Sequence, residues 1–251
     1  MLVLLPPSEG KASGSDGPPL DLASLSFPAL TRTRTKVVKA LVKAARSRTQ
    51  RPLLQKALQL SDKQLAELDK DRDLLAAPTL PALELYTGIV YDNLDYATLP
   101  AAARARADGS LVVASALFGL LRPTDQVPSY RLSGGTTVPG LGGLAPVWRP
   151  ALEKELAQQG FVVDLRSGAY ANLARVPGAV DVRVLRDEGG TRTVVSHDNK
   201  WTKGQLARAL CVNGARTVDD VAEVGRTVCD AVEVEGNRVD LLLHGLASAR
   251  A

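Results

Sequence analysis

Three features of the sequence predict an α+β fold: a mixed sheet flanked by helices, forming one compact domain over residues 1–251. First, Leu2–Leu5, Leu111–Ser115 and Phe161–Leu165 are almost wholly apolar, the pattern of strands covered on both faces. Second, the segments between them carry helical spacing. Third, the C-terminal third holds two pairs of short alternating runs around Gly-containing turns. Asp181–Leu185 faces Arg192–Ser196 across Asp187–Gly190, and Val232–Val234 faces Val239–Leu243 across Glu235–Asn237; both read as hairpins.

In chain order, the first strand runs into Pro6-Pro7-Ser8-Glu9-Gly10-Lys11 and a Gly/Ser/Pro-rich stretch to Pro19, which reads as loop. From Thr31 to Leu60 there are nine basic residues and no acidic one. Lys36, Lys39, Lys43 and Arg46 recur three and four apart, while Val37, Val38, Leu41 and Val42 form an apolar stripe. The segment therefore reads as a helix with a strongly cationic face, the centre of a basic helical region over about 31–75. Pro52 breaks it, and Ser61 with Gln64 has the form of a capping box that starts a further helix. Shorter helices are expected at Leu83–Leu85 and Ala97–Ala107, the latter closed by an Asp108-Gly109 turn. Ala151–Gln159 reads as a helix stopped by Gly160, and Lys203–Val212 as the last helix.

Hydrophobic residues at 45% and charged residues at 23% supply a proper core and argue against disorder. Aromatics at 4% make that core aliphatic, and a net charge of +4 permits a nucleic-acid partner without requiring one. Two cysteines without a CxxC pair and two histidines support neither a disulfide framework nor a metal site, so no cofactor is expected. Cys211 and Cys229 read as small buried hydrophobes, and His197 and His244, beside apolar runs, as packing residues. The apolar run at Leu2–Leu5 is too short for a signal segment or a membrane span, so no membrane partner and a cytoplasmic location are expected.

The most informative stretch is Ser115–Gly135. Two prolines and three glycines after a buried strand fix an unusual backbone path. Arg122 is held extended by Pro123, and Arg131 stands beside Tyr130; guanidinium forks suit phosphate or carboxylate. A structural turn pairing Arg122 with Asp125 is the alternative. Lys200-Trp201-Thr202-Lys203-Gly204 reads as a strand-to-helix junction where free N–H groups and two lysines favour an anion, with Arg208 one turn on. Lys11 is a further anion contact or a solvated loop lysine. Glu9, Asp125, Asp164 and Tyr170 are candidate acid–base groups, although no spacing shows that two converge.

The run Ser115-Ala-Leu-Phe-Gly119-Leu-Leu-Arg122-Pro123-Thr-Asp125, followed by Tyr130-Arg131-Leu132, resembles the signature of the YaaA peroxide-stress protein family. Lys11, Tyr86-Thr87-Gly88, Trp148, Asp164…Ser167…Tyr170 and Lys200…Gly204…Arg208 recur in that family's order. Pro7-Ser8-Glu9-Gly10-Lys11 departs from the family's Ser-Pro-Ala-Lys, and Val221–Val228 from its Gly-Phe-x-x-x-Gly-Tyr. The resemblance implies a role in the oxidative-stress response with lowering of free iron. It also implies binding of double-stranded or branched DNA through a positive cleft and a helix–hairpin–helix-like element, here around Arg48–Leu68. On that reading Lys11, Lys36, Lys39, Lys43, Arg122, Arg131, Lys200, Lys203 and Arg208 contact phosphates. The alternative is an enzyme acting on a nucleotide or another phosphorylated or carboxylated small molecule. Its pocket is then formed by Lys11, Arg122, Tyr130, Arg131, Lys200 and Arg208, with Lys11, Asp125, Tyr130, Arg131 and Tyr170 as candidate catalytic residues.

Overall fold

The computed structural model describes residues 1–12 and 16–244. The middle of the expected Gly/Ser loop, 13–15, and the last residues of the expected domain, 245–251, lie outside the described residues. An eight-stranded mixed sheet organises the chain. Across it run Ala231–Glu235, Arg238–His244, Val180–Glu188, Val162–Asp164, Leu2–Leu5, Leu111–Ser115 and Gly119–Leu121, with Thr191–Thr193 paired to the end of Val180–Glu188. The five central strands are parallel, and Ala231–Glu235 and Gly119–Leu121 are antiparallel edges. Leu2–Leu5 and Leu111–Ser115 are buried at every position, which is why they read as continuous apolar runs. No helix among the described residues is long and apolar enough to cross a membrane.

Three neighbouring parallel strands, Val162–Asp164, Leu2–Leu5 and Leu111–Ser115, deliver their following loops to one carboxyl edge of the sheet, where open parallel sheets place ligands. Both expected hairpins form. The first closes on Gly189 and Gly190, both at positive φ, but its second arm ends at Thr193. Ser196 instead opens a helix that runs to Asn213, seven residues ahead of the expected start. Asp198 in its first turn pairs with Arg186 of the neighbouring strand, which anchors this early start. His197 and His244 are exposed rather than packed, one in that first turn and the other at a strand end. Cys211 is fully buried and Cys229 partly so.

The helix Ser196–Asn213 crosses Ile89–Leu94 at Gly204, where an added Cβ would stand 2.4 Å from the Val90 carbonyl oxygen. Gly204→Ala must therefore push two helices apart. We expect a loss of about 1–3 kcal/mol in urea unfolding, with ordinary helix propensity alone predicting a gain.

Two other helices depart from expectation. Ala101–Ser110 continues through Asp108 and Gly109, with Asp108 held by the Tyr96 hydroxyl, so no turn forms there. Leu144–Leu156 starts seven residues early and accommodates Pro146 in its first turn, where backbone N–H groups have no helical partner. Trp148, fully buried, fixes this start by donating its Nε1–H to the Ala116 carbonyl at 2.8 Å.

The basic region forms Thr31–Arg46, Arg51–Ala57 and Ala66–Asp73. Pro52 sits in the first turn of the second of these, and the Ser61–Gln64 capping box opens a short 3-10 turn before the third. Arg32, Lys36, Lys39, Lys43 and Arg46 are exposed along Thr31–Arg46. Arg34 is not. Its buried guanidinium donates to the carbonyls of Phe118 (2.7 Å), Ser26 (2.6 Å) and Leu120 (2.8 Å).

Candidate functional site

The site is built where the loop after Leu2–Leu5 meets Tyr86. Lys11 makes an isolated antiparallel bridge with Tyr86, and the Thr87 and Ala12 amides bond the carbonyls of Gly10 and Leu85. This clasp lays the Lys11 ammonium over two rings, 4.4 Å from the centroid of Tyr130 and 5.4 Å from that of Tyr86. Its Nζ also donates to the Ser8 carbonyl at 3.0 Å. Burial lowers its pKa to about 8, against the raising influence of Glu9.

Beneath the lysine lies a hydroxyl chain. Ser115 Oγ accepts the amides of Leu117 and Phe118, at 3.2 and 3.0 Å, which occupies both lone pairs. Its proton is thus directed to Tyr130 Oη at 2.7 Å, and Tyr130 in turn donates to Tyr86 Oη at 2.8 Å. Burial raises the Tyr86 pKa to about 12 and that of Tyr130 well above its ordinary value. Near neutral pH the pair is a hydrogen-bonded platform, not a source of phenolate. Phe118 braces it edge-on, with ring centroids 5.4 Å apart from Tyr130.

Next to Tyr130, the Arg131 amide donates to Asp71 Oδ1 at 2.8 Å, and the Arg131 guanidinium pairs with Glu9 at 3.1 Å. Asp71 is fully buried, and its Oδ2 has no hydrogen-bond partner among the described residues. Burial pushes its pKa up to about 8, although the Arg131 amide and the Lys11 charge pull the other way. Tyr170 comes from the third loop, Asp164–Ala171, and its hydroxyl pKa is raised by burial and then by Glu9. That loop is held by the buried Arg166, which grips Asp164 with two nitrogens and reaches the carbonyls of Tyr170 and Ala174.

Of the residues singled out in the sequence, Lys11, Tyr130, Arg131 and Glu9 come together, with Tyr170 on the far side of Glu9. Glu9 and Gly10 separate a cavity of about 340 Å³ over Lys11 and Arg131 from one of about 510 Å³ lined by Ser167, Tyr170, Lys200 and Lys203. Lys200 and Lys203 lie in the second turn of Ser196–Asn213, so their amides are bound within the helix and do not form an anion-binding N-terminus. Lys203 is itself buried, with Nζ 3.4 Å from the Arg166 carbonyl, and burial lowers its pKa.

The others do not converge. The chain after Ser115 returns antiparallel, pairing Ser115 with Gly119 and Val113 with Leu121, and so carries Arg122 back toward the amino edge. There Arg122 donates to the Gly109 carbonyl at 2.8 Å and lies over Phe27. Asp125 accepts from the Arg122 amide, the Ser26 amide and the Ser26 hydroxyl, a structural turn. Asp164 is committed to Arg166. Arg208 donates to the carbonyls of Leu94 and Asp95. Lys36, Lys39 and Lys43 stand apart on their helix.

Asp71 is hidden in the sequence, because it sits in the run Asp69-Lys70-Asp71-Arg72-Asp73, which reads as a solvated helix face. Its spacing carried the signal: Asp71 lies three residues after Leu68 and three before Leu74, both fully buried.

Comparison with known proteins bears on the whole chain. The family described as "Peroxide stress protein YaaA" matches residues 1–227. A UPF0246 protein of Streptomyces coelicolor is 43% identical, over 97% of this chain and 99% of its own length. One from Corynebacterium efficiens is 44% identical, over 96% and 98%. A more distant UPF0246 protein of Flavobacterium johnsoniae retains 28% identity over 88% of this chain. With Tyr130 and Arg131 of the signature beside the Lys11 clasp, the family model matching residues 1–227 and relatives 43–44% identical over nearly the full chain, the chain belongs to the YaaA peroxide-stress family.

Proposed function

We propose that this protein binds double-stranded or branched DNA through its phosphates, without reading sequence, as part of the peroxide-stress response. One observation supports the reading above others: the cationic face of Thr31–Arg46. Arg32, Lys36, Lys39 and Lys43 are exposed, and none has an ion-pair partner among the described residues. From Arg32 to Lys43 the stripe is about 17 Å long at 1.5 Å per residue, and it follows one side of the helix at steps of three and four. A row of uncompensated cations of that length matches a phosphate backbone, which dominates non-specific affinity.

The neighbouring Ala66–Asp73 is self-neutralised, with Lys70 on Glu67, Arg72 on Asp69 and Asp73, and Arg51 on Asp69. The paired helices around Arg48–Leu68 therefore contribute less charge than the first helix. In this reading the positive surface implied by the resemblance is the exposed face of Thr31–Arg46.

Charge reversal of Lys36, Lys39 and Lys43 to Glu tests it in a salt titration of duplex binding. Removal of three phosphate contacts is expected to reduce the slope of log K against log salt by roughly 2–3, at about 0.9 per contact. Unchanged affinity and slope in the triple variant would remove this helix from the interface.

A further inference from the structure

We propose that the cavity of about 340 Å³ over the Lys11 clasp binds a small phosphate monoester, with Lys11 and Lys63 as its two ammonium partners. The charge balance of the lining motivates this. Four cations, Lys11, Lys63, Lys70 and Arg131, face two carboxylates, Glu9 and Glu67. Lys70 is paired with Glu67 and Arg131 with Glu9, which leaves Lys11 and Lys63 without a carboxylate within ion-pair distance. Two uncompensated ammonium groups on one small cavity match a dianion, which a phosphate monoester is above a pH of about 6.

The cavity's construction points the same way. Lys11 is held by its backbone bridge to Tyr86, its bond to Ser8 and two ring faces, so little side-chain entropy remains to be lost on binding. Asp71, buried behind Lys11 and Arg131, lacks a partner at Oδ2; kept protonated by its surroundings near neutral pH, it does not repel an anion. A volume of about 340 Å³ is at the small end of ligand pockets, which suits a sugar phosphate or similar metabolite. The site is distinct from the cationic face of Thr31–Arg46, so a small ligand and a nucleic acid occupy different surfaces.

Affinity also carries a pH signature. Above about 8 Lys11 loses its proton and Asp71 ionises, and both changes oppose an anion. Glu9, Glu67, Arg131, Lys63 and Lys70 complete the charged groups facing the cavity. The helix Thr31–Arg46, packed on Ala66–Asp73, keeps its lysines exposed to solvent.

The test is calorimetric titration of the full chain with inorganic phosphate and glycerol 3-phosphate near neutral pH, with glycerol as the uncharged comparator. Both phosphate probes are expected to bind and glycerol is not. Lys11→Met should weaken binding about tenfold or more, the worth of one charge-assisted hydrogen bond, and Lys63→Gln should weaken it by a smaller factor. The Lys36/Lys39/Lys43→Glu variant should bind phosphate as the parent does, which separates this site from the DNA surface. Absence of phosphate-dependent heat up to about 10 mM overturns the proposal. So does a loss of binding in the helix variant with none in Lys11→Met. Thermal unfolding of Lys11→Met checks that it folds; if it does not, the exposed Lys63→Gln decides the question.

Discussion

Arg34→Met is expected to lower the free energy of unfolding by about 3–5 kcal/mol, the cost of deleting one partner from a buried, charge-assisted network. The guanidinium is fully buried and donates to three backbone carbonyls, two of which, Phe118 and Leu120, bracket Gly119. Methionine fills much of the stem's volume but leaves those oxygens without donors in a region closed to water. The backbone at Gly119 has little freedom to repair the loss. Its φ is +77° and an added Cβ would stand 2.7 Å from the Trp148 ring, so the turn is already pressed between the arginine and the indole. Arg34→Lys retains charge and reaches fewer carbonyls, and an intermediate loss is expected. Urea unfolding measures both. The arginine also supports Phe118 and, through it, the Tyr130 platform, so a shift in Trp148 fluorescence should accompany the loss. If Arg34→Met unfolds within 1 kcal/mol of the parent, about the scale of a surface change, the network is not what holds this turn.

Arg34 also shows where the sequence was legible and where it was not. The two most buried strands read directly because apolar runs report burial: Leu2–Leu5 and Leu111–Ser115 match residue for residue, and the two hairpin turns announce themselves by Gly, whereas Arg192–Ser196 is a strand only as far as Thr193. The cationic helix was equally plain. Its one inward arginine was not, since only the position of Arg34 relative to Val37, Val38 and Leu41 marks it as facing the core. Helix starts failed where tertiary contacts overrode local signals, as with Trp148 drawing Leu144–Leu156 through Pro146 and Asp198 drawing Ser196–Asn213 toward Arg186. Arg122 and Arg131 had the same standing in the sequence. What divides them is a tight antiparallel return after Ser115, closed over Ala116–Phe118, that sends one arginine to the amino edge and leaves the other beside Lys11.

The sheet edge then explains why one signature serves both architecture and site. Tyr130 is at once a wall for Phe118, a link in the Ser115–Tyr86 hydroxyl chain and a seat for the Lys11 ammonium. Substitutions at Tyr130 therefore confound stability with binding, whereas Lys63, exposed at the rim, reports binding alone.

Asp71→Asn is expected to remove a fall in stability between pH 4 and pH 8. In the folded protein burial raises the Asp71 pKa from 3.8 to about 8, so between these values the folded state holds a proton that the unfolded chain has released. A raised pKa contributes stability that is complete below the unfolded value and is lost as pH rises through the folded one. The slope is about 1.4 kcal/mol per pH unit where the difference is one full proton. Lys11 acts in the opposite sense and in a different window. Its pKa falls from 10.5 to about 8, so between those values the unfolded chain holds the extra proton and stability recovers as pH rises. Together the two groups place a minimum near pH 8. Asparagine keeps the oxygen that accepts the Arg131 amide and cannot ionise, though its buried NH2 gains no assured partner. The variant should thus be slightly less stable than the parent near pH 4 and more stable by about 2–4 kcal/mol at pH 8, with the curves crossing between. Urea midpoints collected from pH 4 to pH 9 measure this; parallel curves would show that Asp71 ionises normally in the fold. The same variant leaves Lys11 beside a permanently neutral neighbour. With no Asp71 charge to help hold it, the Lys11 proton should be lost at lower pH than in the parent and phosphate affinity should fall with it, an effect that a purely structural Asp71 would not produce.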